Sequence, residues 1–114
     1  MHEPSAAGAT ARPAASWEDA VRSLMLSPEH RQLVLDCFYD EPRSAAAARY
    51  AASPEWQAAR ALLPPPPGRA LEIGAGHGIA SSALARAGWK VTALEPDPSE
   101  LVGAGAIRRL AAEG

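Results

Sequence analysis

Residues 69–97 read RALEIGAGHGIASSALARAGWKVTALEPD, and the order of signals in that stretch decides the fold. A short apolar run, 70–73, leads into three glycines at alternate positions, Gly74, Gly76 and Gly78. Ile79, Ala83, Leu84 and Ala87 then recur at helical spacing until Gly88. Residues 89–95 alternate through Val91 and Ala93, reach Leu94 and close on Glu95. The spacing predicts strand, glycine turn, helix and strand, with a carboxylate at the second strand's tip. That order is the opening half of a nucleotide-binding α/β unit.

In such a turn one glycine permits the reversal, the next lets a ligand reach bare backbone, and the last lets helix and strand pack closely. The dinucleotide fingerprint is G-x-G-x-x-G, whereas Ile79 stands here where its third glycine belongs and the spacing is G-x-G-x-G. Glu72, two residues before the first glycine, adds to the difference. A carboxylate at the strand mouth repels a pyrophosphate but complements ammonium and sulfonium charge, as in S-adenosylmethionine. A nicotinamide or flavin enzyme is disfavoured on the same two residues.

LEIGAGHG followed by VTALEPD resembles the first two motifs of class I S-adenosylmethionine-dependent methyltransferases, acid-x-G-x-G-x-G and then an acid ending the second strand. The resemblance implies Glu72, Gly74, Ala75, Gly76 and Gly78 in a turn beneath the methionyl and ribose portions of the cofactor. It implies Glu95 on the ribose hydroxyls. The following DPSELVGAGAIRRLA is similar to the second helix of small bacterial members, so the likeness runs from residue 69 to the end. The fold expected is α/β: a partial Rossmann-like methyltransferase sheet, strands 1 and 2 with their helices, preceded by a small helical segment.

Plainer readings stand beside these. A glycine turn of this kind can exist without a ligand, and Glu72 can serve as an acceptor for turn amides. His77, between two glycines, is read as solvent-facing or backbone-bonded before it is read as an acid or base. Asp97, Pro98, Ser99 and Glu100 supply an N-cap, a first-turn proline and a third-position acid, which predicts a helix over 98–112 with Leu101, Val102, Ala106, Ile107 and Leu110 inward. Gly103 and Gly105 then merely loosen that helix, with no strand before them to make a second phosphate loop.

Composition narrows the classes. Thirteen acids against eleven bases give a net charge of −2 over 114 residues, so no nucleic-acid or anionic-membrane surface is indicated. The single Cys37 excludes an internal disulfide framework and a zinc cluster, fits a reducing compartment, and is expected in the core. No apolar run approaches the roughly 18 residues of a membrane span, and no apolar signal core opens the chain, so a cytoplasmic location is expected.

Residues 1–15 are small and Ala/Pro-rich, read as a disordered tail, with a weak organelle-targeting likeness in their shortage of acids. Ser16 caps a first helix reaching about Leu26, with Trp17, Ala20, Val21 and Leu24 on one stripe. Ser27-Pro28-Glu29 starts a second helix with Leu33, Val34, Cys37 and Phe38 on one face, and 43–52 continues as an alanine-rich helix. Ser53-Pro54-Glu55 repeats the start signal for 56–63. A proline-rich linker, 64–68, separates this segment, 16–63, from the α/β unit, 69–114. Such preludes often cap the cofactor pocket in the family that the motifs resemble, which would put Tyr39, Tyr50 or Trp56 at a substrate cavity; ordinary helix packing is the simpler reading.

The resemblance covers two strands of a seven-stranded family sheet, without the third-strand tip or the loop after the fourth strand. No catalytic residue is therefore nominated, and the methyl acceptor is unassigned. Two strands rarely stand alone, so the chain is expected to bind cofactor weakly by itself. The alternative is a non-catalytic subunit whose sheet is completed by a partner chain or by self-association.

Overall fold

In a computed structural model, residues 15–113 of the chain are described. The expected tail lies outside them except for Ala15. Six α-helices and two strands follow one another: α1 Trp17–Met25, α2 Arg31–Asp36, α3 Arg43–Ala51, α4 Pro54–Ala61, β1 Gly68–Ile73, α5 Ile79–Ala87, β2 Trp89–Leu94 and α6 Ala104–Glu113, with a 3₁₀ turn at Pro28–His30. The architecture is mixed α/β with a two-stranded parallel sheet. No helix among the described residues is long and apolar enough to cross a membrane.

Local chemistry explains the helix starts. The Ser16 hydroxyl accepts from the Asp19 amide at 3.0 Å while the Asp19 carboxylate accepts from the Ser16 amide at 3.1 Å, a reciprocal box that opens α1. Ser53 accepts from the Trp56 amide at 3.1 Å and opens α4. Ser27 carries the same Ser-Pro-Glu signal but caps nothing; its hydroxyl is instead bonded to His30 Nδ1 at 2.9 Å. The expected second helix is therefore broken into the 3₁₀ turn and the short α2. It stops at Asp36, and Cys37, just past the helix end, is exposed rather than in the core.

The strands pair in parallel from Gly68 with Trp89 to Ile73 with Leu94, so Gly68 already belongs to β1 and the linker ends at Pro67. Side chains alternate across the pair: Ala70, Glu72, Val91 and Ala93 turn inward, while Leu71, Thr92, Ile73 and Leu94 turn out. The inner face is covered by α5, the crossover helix. On the outer face Leu71 is 59%, Ile73 77% and Leu94 48% exposed.

One core joins the prelude to the α/β unit. Ala46, Ala47 and Tyr50 of α3 and Trp56 of α4 meet Ile79 and Ala83 of α5 and Leu110 of α6. Ala46 and Ala47 have no exposed surface, and their small side chains let α3 and α5 approach closely. Tyr50 and Trp56, both buried, supply the bulk. Burial of side chains of this size stabilises by on the order of 2 kcal/mol each.

After β2 the expected long helix does not form. Residues 98–103 make a tight loop in which Asp97 Oδ1 accepts from the Ser99 amide at 2.9 Å and the Ser99 hydroxyl accepts from the amides of Leu101 and Val102. The Asp97 carbonyl accepts from the Ala104 amide at 2.7 Å, and α6 starts only there. Asp97 is thus a turn-former, not an N-cap. Gly103 is not a loosened helical position either: a Cβ on it would collide with the Asp97 carbonyl, and one on Gly105 would lie 2.8 Å from Glu100 Cα. Val102, Ala106 and Leu110 are buried as the apolar pattern requires.

Candidate functional site

The turn between β1 and α5 is built on three residues that only glycine occupies without strain. Gly74, Gly76 and Gly78 have φ of 72°, 59° and 83°. A Cβ on Gly74 or Gly76 would meet nothing within 4 Å, so the backbone there is open to an approaching molecule. Gly78 is different. A Cβ there would lie 2.9 Å from Ile107 Cγ1, so this glycine lets α6 seat against the turn rather than helix against strand.

Glu95 ties the turn to the tip of β2. Its Oε1 accepts from the Gly76 amide at 2.7 Å and its Oε2 from the Asp97 amide at 3.0 Å. The amides of Gly74 and Ala75 both donate to the Leu94 carbonyl. Hydrogen bonds from the Asp97 and Gly76 amides hold the Glu95 carboxyl below its ordinary range, so it is ionised at neutral pH. Each of its oxygens keeps a second lone pair for another donor.

Glu72 has a different partner from the one expected. Its Oε1 accepts from the Ser81 hydroxyl of α5 at 2.5 Å, and it makes no bond to a turn amide among the described residues. Ser81 is 7% exposed and lies on the helix face that meets the sheet. The six expected site residues therefore divide. Gly74, Ala75, Gly76, Gly78 and Glu95 belong to one hydrogen-bonded turn closed on the end of β2, while Glu72 is bonded to α5; Glu72 and Ala75 also border a cavity of about 350 Å³ on the prelude side, beside Tyr50 and His77.

His77 is backbone-bonded, and it joins the turn to the prelude. Its Nε2–H donates to the Phe38 carbonyl at 3.1 Å; a carbonyl only accepts, so the proton sits on Nε2 and Nδ1 is bare. The ring stacks on Tyr39 with centroids 3.9 Å apart and planes 10° from parallel. Burial, followed by the neighbouring Arg43 charge and opposed by the Phe38 bond, lowers the His77 pKa from 6.5 to about 4. At neutral pH it is an uncharged and weak base. Tyr39 in turn accepts from Trp17 Nε1 at 3.1 Å and lies under the Arg43 guanidinium, 5.2 Å from its centroid.

Arg43 is the residue that sequence reading passed over. It is 5% exposed, donates to the carbonyls of Phe38 at 3.3 Å and Leu101 at 2.9 Å, and pairs with Glu41 at 3.2 Å. Burial pulls its pKa down, with the carboxylate of Glu41 opposing. One side chain thus links α3, the turn at Phe38 and the loop after β2. Ser99 adds a second link, its hydroxyl donating to the Glu18 carboxylate of α1. Tyr50 borders the cavity, while Trp56 is core and Tyr39 belongs to the His77 stack. Among the described residues no group of three His, Cys, Asp or Glu side chains is placed to hold a metal ion.

Comparison with protein-family models, with curated proteins and with solved structures finds no match to this chain.

Proposed function

We propose that this chain carries the cofactor-binding half-site of a class I S-adenosylmethionine-dependent methyltransferase, within a Rossmann-like sheet. The observation that carries the reading is the bond between the Gly76 amide and Glu95, which brings an ionised carboxylate from the β2 tip onto an uncrowded G-x-G-x-G turn. Gly74, Ala75 and Gly76 would lie under the cofactor, and Glu95 would accept from its ribose hydroxyls through the lone pairs that the amides leave free. Gly78 shapes the turn by admitting α6. Glu72 adds negative charge at the β1 mouth, which suits a sulfonium and opposes a pyrophosphate. The bound cofactor would supply a methyl group already activated for transfer, so the chain's task is to hold and orient.

Calorimetric titration of the full chain with S-adenosylhomocysteine tests this. Binding is expected in the range weaker than about 1 µM, because a two-stranded sheet with two open edges holds its turn loosely. Glu95→Ala should abolish it, and NAD should not compete. Preference for NAD, or unchanged affinity in Glu95→Ala, would overturn the reading.

The exposed Leu71, Ile73 and Leu94 favour a second reading, in which another chain completes the sheet and this one is a non-catalytic subunit. Sedimentation of the chain with and without S-adenosylhomocysteine separates the two. A tight oligomer that ignores the ligand favours the subunit.

A further inference from the structure

We propose that Arg43 is a positioning residue for the glycine-turn site, holding both oxygens of the Glu95 carboxylate in place through the main chain on either side of it. Two short routes lead from its guanidinium to those oxygens. On one, Nη1 donates to the Phe38 carbonyl at 3.3 Å, and the same carbonyl accepts from His77 Nε2–H at 3.1 Å. His77 adjoins Gly76 in the chain, and the Gly76 amide donates to Glu95 Oε1 at 2.7 Å. On the other, Nη2 donates to the Leu101 carbonyl at 2.9 Å. The Leu101 amide donates to the Ser99 hydroxyl, the Ser99 amide to Asp97 Oδ1, and the Asp97 amide to Glu95 Oε2 at 3.0 Å. One fork thus braces the turn and the loop that between them grip the carboxylate.

Two costs in the same place indicate that the guanidinium does more than fill space. Arg43 is 5% exposed, yet its Nε has no hydrogen-bond partner among the described residues. A buried donor left unmet is destabilising, and a well-packed apolar side chain often serves such a position at least as well. Phe38, whose carbonyl both donors share, has φ of 61° and is the only described residue other than glycine with a positive φ. A residue with a Cβ is strained there, and such strain persists where the surrounding contacts fix it. What arginine supplies and an apolar residue does not is a planar fork of fixed geometry, able to set two carbonyls relative to each other.

As a role in cofactor binding this rests on the reading above; as a brace on Glu95 it does not, and the test separates the two. The full chain is followed by two-dimensional amide NMR and by calorimetric titration with S-adenosylhomocysteine at pH 7. In Arg43→Met the Gly76 and Asp97 amide protons should move upfield as their bonds to Glu95 lengthen, while the Trp56 amide, bonded to Ser53 at the start of α4, stays in place. S-adenosylhomocysteine affinity should fall about three- to tenfold, with Arg43→Lys, which keeps the charge but not the fork, in between. His77→Phe breaks one of the two routes, so together with Arg43→Met it should cost less than the product of the separate losses. Glu41 is half-exposed and keeps Arg109 at 3.6 Å, so Arg43→Met is expected to stay folded; if it does not, Arg43→Lys carries the same comparison. Unmoved Gly76 and Asp97 signals, a Trp56 signal that moves with them, or unchanged affinity would overturn the proposal. If S-adenosylhomocysteine does not bind the unaltered chain, the methyltransferase reading falls, and the amide signals alone decide for or against the brace.

Discussion

His77 shows how much one side chain can carry between two parts of a chain. Folded, it is neutral down to about pH 4, whereas the unfolded chain protonates it near 6.5. Between those values the unfolded state binds more protons, so stability falls as pH drops from about 6.5 toward 4, by at most about 3 kcal/mol. His77→Phe keeps a ring against Tyr39 and removes the titration. Urea unfolding across pH 4.5–7 should give a visibly shallower slope for this variant; the same slope would mean that His77 is not buried neutral. The turn glycines and Glu95 are legible in the sequence, because their spacing alone sets the reversal and the strand tip. Ser81 and Arg43 are not. Their partners, Glu72 and the Phe38 and Leu101 carbonyls, come from elements whose mutual placement no local pattern encodes.

Among the elements, Ser27-Pro28-Glu29 and Ser53-Pro54-Glu55 form a natural control. The next residue separates their fates: His30 offers a ring nitrogen that takes the Ser27 hydroxyl, whereas Trp56 offers only its backbone amide to Ser53. Sequence patterns register the cap and not the competitor. The loop before α6 makes a similar point. Asp97-Pro98-Ser99-Glu100 has every mark of a helix start, but Asp97 and Ser99 satisfy nearby amides in a turn instead. Gly103→Ala tests this by sign. In a continuous helix the change would stabilise by about 0.5–1 kcal/mol. Here it should destabilise by about 2 kcal/mol or more, since the new methyl meets the Asp97 carbonyl. Denaturant unfolding reads either outcome.

At the scale of the whole molecule, the prelude and the α/β unit share Ala46, Ala47, Tyr50, Ile79, Ala83 and Leu110, so they should melt in one transition. Calorimetry with equal van't Hoff and calorimetric enthalpies checks it. Two transitions would mean that the common core is not formed. The outer sheet face behaves differently. Ile73 and Leu94 are register partners there, and replacing both by threonine keeps strand propensity while removing exposed apolar surface. Stability of the dilute chain should change by less than about 1 kcal/mol, while concentration-dependent association measured by sedimentation should weaken. A loss of several kcal/mol would place that face inside the monomer. The alternation that exposes it was readable from 70–73 and 89–95, but which face α5 would cover was not, since both faces carry apolar residues.

The line of contacts from Trp17 through Tyr39 to His77 also gives this chain an optical signature of its own. A phenol stacked on an imidazole and hydrogen-bonded to an indole sits in an asymmetric electronic environment, which near-ultraviolet circular dichroism records without any label. Trp17 and Tyr39 both belong to the prelude and only the stack on His77 crosses to the turn, so the part of that band lost in His77→Ala gauges whether the glycine turn is seated against the helices that precede it.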